Sequence, residues 1–472
     1  MNLQEKVNTS VEKALESFDY DGVSLGDSFL EKQYKTIKDF YMAIPDDSLL
    51  YGFRKRAGMY APGESLGGWY KLGFFTNFGQ ILSGLSRFYK ISSDKTVLEK
   101  LTNLLDQWSK TIDPNNFFFY TESPNAPHYI YDKMVGGLVD IYIYSGNEYA
   151  ISCLDRITRW AEKNLDRTNE YAHNYANGST EWYTLPENLY RAYVATGKER
   201  YKEFGDIFLY NDYFKFYHKK DFKGLMHAAE ESRYHRYHAY SHVNTLGSAA
   251  MAYYITGDSY YLQIIKNAYE MIVETQLFNS GGYGPCEAFV YPEQKTETLY
   301  TEDFHFEVAC ASWGAFKLVR YLTEFTGSAR YGYWSERIIY NGIGAALPME
   351  NDGNVMYYAN YNIAGAVKEV CNPWSCCTGT YPIDVAEYHN QIYYKSNDGI
   401  FVNLFIPSEV NFTKDSNKIK LKQETEFPKE QKSKLYLKSS TPLKLDIGIR
   451  IPTWAAEGFM LKINGSRIDY TF

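Results

Sequence analysis

The chain has 472 residues, 45% of them hydrophobic and 22% charged, with a formal net charge of -8. These proportions exclude a disordered or fibrous chain, and the length exceeds what one core serves, so one large and one smaller domain are expected. An acidic balance with no extended Lys/Arg cluster excludes a nucleic-acid or anionic-membrane partner.

The N-terminal stretch MNLQEKVNTSVEKALESFDY has no apolar h-region, and no window approaches the roughly 18 apolar residues of a membrane span, so a cytoplasmic location is expected. A helical hairpin then recurs along the chain: an apolar-periodic segment ending in an aromatic, a short Ser/Thr-Gly-polar turn, and a second periodic segment. The turns are ISSDK (91–95), YSGNE (144–148), ATGKE (195–199), ITGDS (255–259) and FTGSA (325–329). Gly supplies a left-handed C-cap, and Asp, Asn or Ser starts the next helix. Residues 1–60 have room for a sixth hairpin. Irregular spacing with long loops favours a closed (α/α)6 toroid over an open solenoid. After about residue 390 the period becomes two, in QIYYKS, GIFVNLFI, KIKLKQ and KLYLKS, with Asn-Asp-Gly and Asn-Gly turns. The expected architecture is a toroid over 1–390 and an antiparallel β-sandwich over 391–472. The sandwich is expected to be incomplete, since RIDYTF follows directly on a hairpin signal.

Aromatic residues, 46 Tyr, 28 Phe and 8 Trp, form 17% of the chain. They suit a pocket that stacks on sugar faces, although composition alone favours half-buried helix positions where Tyr replaces Leu. The six cysteines, in a large chain without a secretory signal, read as thiols or metal ligands rather than disulfides. Cys376 and Cys377 are adjacent in NPWSCCTGT, expected as a loop before the first strand, and can take two positions on a soft metal such as Zn2+. Glu307 and Cys310, three apart in HFEVACASWG at the start of an apolar helix, would complete a one-carboxylate, three-thiolate set. On spacing alone the reading of these cysteines as ordinary core residues is favoured.

The runs TGSARYGYWSERIIYNGIGAAL, CCTGT, DGIFVNLFIPSEV and RIPTWA, with APGESLGGWY, SHVNTLGSAA and GGYGPCEAF upstream, resemble the β-L-arabinofuranosidase-type enzymes of glycoside hydrolase family 127 and its relatives. The resemblance implies zinc held by a Glu and three Cys, a cysteine nucleophile and a Glu acid/base. It places the nucleophile on Cys376, the other thiolates on Cys377 and Cys310, and the acid/base on Glu287 in PCEAF. It implies a retaining exo-glycosidase acting on a terminal sugar of an oligosaccharide or glycoside, by resemblance a β-L-arabinofuranoside, through a glycosyl-cysteine intermediate. The family's zinc Glu stands two residues before the Cys, where this chain has Val308, so Glu307 is expected to serve from one residue further back.

Further substrate contacts are expected from His242 in SHVNT, Glu336 in SERIIYNG, Tyr358 in MYYANYN and Glu187 in LPENLY. His235, His238 and His242 share one helical face that reads as solvated or hydrogen-bonded, and only His242 is carried forward. Cys286 and Cys371 read as structural. Two other readings stay open on the residues: a toroid enzyme of uronyl hydrolase or lyase type working without metal, and a non-catalytic carbohydrate-binding protein with structural zinc. Glu287 beside the zinc motif favours catalysis. The sequence sets no oligomeric state.

Overall fold

The computed structural model describes residues 6–72, 76–124, 126–167, 181–231, 237–363 and 365–469. Six inner helices stand side by side in a ring: α2 (Phe78–Ser92), α4 (Pro127–Ser145), α6 (Leu185–Thr196), α8 (Leu246–Thr256), α10 (Val308–Thr326) and α12 (Cys376–Ile392). Each packs on the next, and α12 packs back on α2, so the ring closes. Outside lie α3 (Lys95–Ser109), α5 (Tyr149–Asn164), α7 (Glu199–Ile207), α9 (Ser259–Thr275) and α11 (Gly332–Asn341). The sixth outer position is filled by α1 (Phe29–Ala43), which packs on α12. The sixth hairpin therefore joins the two ends of the toroid sequence instead of lying within residues 1–60. The architecture is the (α/α)6 toroid followed by a β region.

Four of the five recurring turns do what their glycines predict. Gly146, Gly197, Gly257 and Gly327 cap inner helices with φ between 68° and 73°, and in the fifth Ser93 takes the same left-handed role at φ 53°. Inner helices read as almost wholly buried and outer ones as amphipathic, as their positions require. The ring is tight where α2 meets α12: a Cβ on Gly84 would lie 2.7 Å from the Pro382 side chain, so glycine permits the contact.

The β region holds two four-stranded sheets. One is ordered β1-β6-β7-β11, from Glu16–Ser17, Tyr393–Lys395, Gly399–Val402 and Asp446–Ile449. The other is ordered β10-β9-β8-β2, from Ser433–Ser439, Asn417–Thr425, Ser408–Lys414 and Val23–Leu25. In β9, Ile419, Leu421 and Gln423 are buried while Lys418, Lys420 and Lys422 face out, the period-two pattern of a one-sided strand. Residues 16–25 thus contribute strands to this region, which their composition does not announce. A third sheet, β3-β4-β5, from Phe306–Glu307, Val355–Asn362 and Gly365–Cys371, lies at the N-terminal end of α10. No described helix is long and apolar enough to cross a membrane.

Candidate active site

The N-terminal ends of the inner helices carry the chemistry. CCTGT, expected as a loop, is instead the first turn of α12: Ser375 is the N-cap and Cys376 the first helical residue. Gly379 and Pro382 inside this helix read as breakers, but the close contacts with α2 compensate for both. The preceding turn bends sharply through Asn372 (φ 55°) and Trp374 (φ 60°). Asn77 Nδ2 donates to the Ser375 carbonyl at 2.8 Å, Trp69 N–H to the Pro373 carbonyl at 3.1 Å, and Gln80 Nε2 to Thr380 Oγ1 at 2.6 Å, which fix the turn and the first helical residues. Cys376 therefore stands at the positive end of a helix dipole, where a thiolate is favoured.

Glu307, Cys310, Cys376 and Cys377 offer one ligand atom each, all within 4.8 Å of one another. The approach is not made by one helical face, as the three-residue step suggests. Glu307 ends β3 and is the N-cap of α10, while Cys310 is the third residue of that helix. The cap's extended backbone turns the carboxylate across to α12, so the Cys376 and Cys377 thiols each donate to Glu307 Oε1 at 3.4 Å. The one-residue displacement by Val308 leaves the carboxylate within the cluster. Cys310 and Cys377 are fully buried and Cys376 is half-buried. Hydrogen bonds from Cys310 and Cys377 hold the Cys376 thiol well below its ordinary range, whereas burial pushes the other two thiols up. Burial also raises Glu307, followed by the charge on Cys376, and Glu307 Oε2 meets no hydrogen-bond partner among the described residues. Three thiols and one carboxylate gathered within 4.8 Å of one another form a donor set that fits a single soft divalent ion.

Glu287 reaches the cluster from another segment. Cys286 and Glu287 are consecutive non-glycine residues at φ 48° and 57°, a strained turn of the sort that holds functional side chains. Cys286 N–H donates to the Phe304 carbonyl at 2.9 Å, and the Cys286 thiol to Glu302 at 2.8 Å, which pins the turn. On β4, Tyr358 lies opposite Glu307 in the ladder and donates its hydroxyl proton to Glu287 Oε1. Its neighbour Tyr357 places its hydroxyl 3.3 Å from Cys376 Sγ. Burial, then the Glu287 charge, raises the Tyr358 phenol, which keeps it a donor.

His238 takes the hydrogen-bonded form of the reading given to the histidine run. It is half-buried and hydrogen-bonded, and it precedes the short helix Ala239–Asn244; His235 lies outside the described residues. Its Nδ1 is 2.8 Å from Glu181 Oε1, and its Nε2 lies 3.4 Å from Glu307 Oε2 and 3.6 Å from Glu287 Oε2. Burial opposes its charge, but the bonds to Glu181 and Glu307 prevail and raise its pKa well above the usual value. Sequence spacing has no way to assign this role, because all three carboxylates come from other segments.

His242 packs among Tyr183, Tyr237 and Tyr213, with ring centroids at 4.6, 4.4 and 5.0 Å; burial lowers its pKa to about 3. Its Nδ1 is 2.8 Å from the His238 carbonyl, which ties it to the same segment as the cluster. Glu187, on α6, is buried and engaged by Lys317 and by Tyr321 at 3.0 Å. Glu336 is held by Arg450 and by Trp454 Nε1 at 2.8 Å, a junction between α11 and the β region, and none of its hydrogen bonds or ion pairs is with the thiol cluster. Cys371, in β5, is half-buried.

The family described as Beta-L-arabinofuranosidase, GH127 catalytic domain, matches residues 22–390, and its middle domain matches residues 399–471. A GH127 β-L-arabinofuranosidase from Geobacillus stearothermophilus T6 has the same fold, with TM-score 0.71 and 18% identity over 95% of this chain and 77% of its own. A second GH127 β-arabinofuranosidase gives 0.72 and 18% over 97% and 77%. A cellobiose 2-epimerase from Bacillus thermoamylovorans B4167 shares the fold at 0.51 and 12% identity, over 77% of this chain and 99% of its own. Curated protein sequences give no match. With both domain matches in chain order over most of its length, the chain belongs to the GH127 β-L-arabinofuranosidase family and is a glycoside hydrolase with a carbohydrate substrate.

Proposed function

We propose that the protein is a retaining exo-glycosidase that releases a terminal β-L-arabinofuranosyl residue, with Cys376 as nucleophile and Glu287 as acid/base. The catalytic unit of this reading is the toroid, residues 1–390, with residues 391–472 packed against it. The observation that carries it is the asymmetry of the thiols: three converge with Glu307, but Cys376, the first residue of its helix, is the one of the three that is only half-buried and the one whose pKa is depressed. Glu307, Cys310, Cys376 and Cys377 would hold Zn2+, which when bound keeps its cysteine ligands ionised at neutral pH.

The Cys376 sulfur forms a C–S bond to the anomeric carbon while the glycosidic C–O bond breaks, and Glu287 gives its proton to the departing oxygen. In the second step Glu287 takes a proton from water, the water oxygen bonds to the anomeric carbon, and the electron pair of the C–S bond returns to sulfur. Two inversions retain the configuration. Tyr358 orients Glu287, His238 links it to Glu307, and His242 is in place to meet a sugar hydroxyl.

The test is elemental analysis of wild type and Cys376→Ser, with hydrolysis of p-nitrophenyl β-L-arabinofuranoside and NMR of the first-formed anomer. About one zinc per wild-type chain, nitrophenol release lost in the variant, and a β product bear the proposal out. An α product, or unchanged turnover by Cys376→Ser, overturns it.

A further inference from the structure

A second cavity, of about 380 Å³, lies at the other end of the barrel, between the C-terminal ends of five inner helices. A strap formed by residues 6–17 runs beneath those ends. Lys6, Ser10 and Leu15 donate their backbone N–H groups to the carbonyls of Val194, Tyr254 and Glu324, one on each of three successive inner helices. The cavity opens past Lys13 and Asp19, whose side chains are 25% and 38% exposed.

One wall is apolar, with Val194, Ala195, Met251 and the stacked rings of Tyr254 and Phe325. The opposite wall is rich in donors. Arg191 gives Nη1 to Asn188 and Nη2 to Asp140, and Arg320 gives Nη1 to Glu387. Each guanidinium has five N–H groups, so both keep donors beyond these bonds, and both side chains are nearly a fifth exposed in the cavity wall. Asn390, buried to all but 5%, lines the same space, and its Oδ1 meets no hydrogen-bond partner among the described residues. Buried polar groups of this kind call for a partner.

The charges decide what that partner is. Lys13 is matched by Glu324 at 3.0 Å, Arg191 by Asp140 at 2.5 Å, Arg320 by Glu387 at 3.0 Å, and Asp19 by Lys90 at 3.0 Å. Arg87 shares Asp140 and Glu387 with these arginines, yet each described cation of the lining already has a carboxylate at 3.0 Å or less, which an incoming anion would have to displace. The volume falls in the range of small-ligand sites, and spare donors, an unpaired amide oxygen and an apolar wall suit a neutral compound with many hydroxyls and an apolar C–H face.

We infer that this cavity is a second carbohydrate site, separate from the thiol cluster, that binds a neutral mono- or disaccharide without cleaving it. The inference stands independently of the nucleophile proposed above.

The test uses the full-length protein carrying Cys376→Ser, so that no sugar is turned over, with L-arabinose, cellobiose and citrate as probes. Hydrogen exchange should show the backbone amides of residues 8–20 slowed threefold or more by one of the two sugars. In the same background Ala195→Trp and, independently, Met251→Trp fill the space and should abolish that slowing. Either filling substitution in the otherwise wild-type protein should leave hydrolysis of the aryl glycoside within about twofold, which also reports that it folds. The inference is overturned if neither sugar slows the strap, if the slowing survives in a folded filled variant, or if citrate alone produces it.

Discussion

The two ends of the barrel handle buried polarity in opposite ways. At the C-terminal end of the inner helices charges come paired: Arg87 with Asp140 at 2.5 Å and with Glu387 at 3.5 Å, and Arg320 with Glu387. At the N-terminal end His238 Nε2 has only the longer approaches to Glu307 Oε2 at 3.4 Å and Glu287 Oε2 at 3.6 Å, and Glu181 Oε2, His242 Nε2 and Ser375 Oγ are buried without a hydrogen-bond partner among the described residues. A fold keeps unpaired buried polar atoms only where something else pairs them, because each otherwise costs about 1–3 kcal/mol. The first end holds the barrel together, and the second is where the proposed metal and substrate site lies.

The comparison breaks first at the thiols. Cys376→Ser should lower turnover of the aryl glycoside by roughly 10³-fold or more while the melting temperature of the metal-loaded protein changes little; an equal loss of stability and activity would make the thiol structural. Glu287→Gln comes next, with kcat down roughly 10²–10⁴-fold on alkyl arabinofuranosides and less on the p-nitrophenyl substrate, whose leaving group needs little protonation. Identical losses on both substrates would remove Glu287 from the acid role.

At the paired end the outcome should reverse. Arg87→Met removes one of the two guanidinium partners of Asp140 and of Glu387, leaving Arg191 and Arg320 in place, and should cost about 1.5–3 kcal/mol in denaturant unfolding, with kcat of the folded fraction preserved. The pairing also sets a pH dependence. Burial opposes ionisation of Asp140 and Glu387, but their arginines more than offset it and hold both below their unfolded values. Their contribution to stability is therefore complete above the unfolded values and lost as pH falls below about 4.3, visible as a drop in melting temperature that Arg87→Met diminishes.

Smaller effects sharpen the contrast. His238→Gln should reduce kcat about tenfold with KM little changed and zinc retained, since it positions Glu287 rather than gripping substrate; an equal rise in KM would make it a binding residue. Asp384, deep in α12, is an ionisable exception, as the amide of Asn390 is a neutral one: burial, then Glu387, pushes its pKa well above the ordinary value, and neither carboxyl oxygen meets a partner among the described residues. A raised folded pKa costs stability once pH exceeds the unfolded value of about 3.9, so Asp384→Asn should stabilise the protein by about 1 kcal/mol near neutral pH and by nothing below pH 4. Measuring both variants at pH 4 and 7 separates the two.

Local patterns determined much of this protein in advance. The glycines after the inner helices announce αL caps because few other residues take positive φ freely, and alternation in β9 follows from a two-residue repeat with one buried face. The vicinal cysteines and Glu307 were legible as candidate ligands only through the family resemblance, because on spacing alone a buried cysteine is an ordinary core residue. Tertiary structure alone decided how they meet. Glu307 converges as a helix cap and not along a face, CCTGT is helical despite its glycine because α2 packs against it, and α1 closes the ring on a helix some 350 positions away. His238 belongs to the same class, since its role depends on Glu181, Glu287 and Glu307 arriving from separate segments. Caps, turns and periods are set by neighbours in the chain, where sequence is read directly. Burial, pairing and convergence are set by neighbours in space, which only the closed ring brings together.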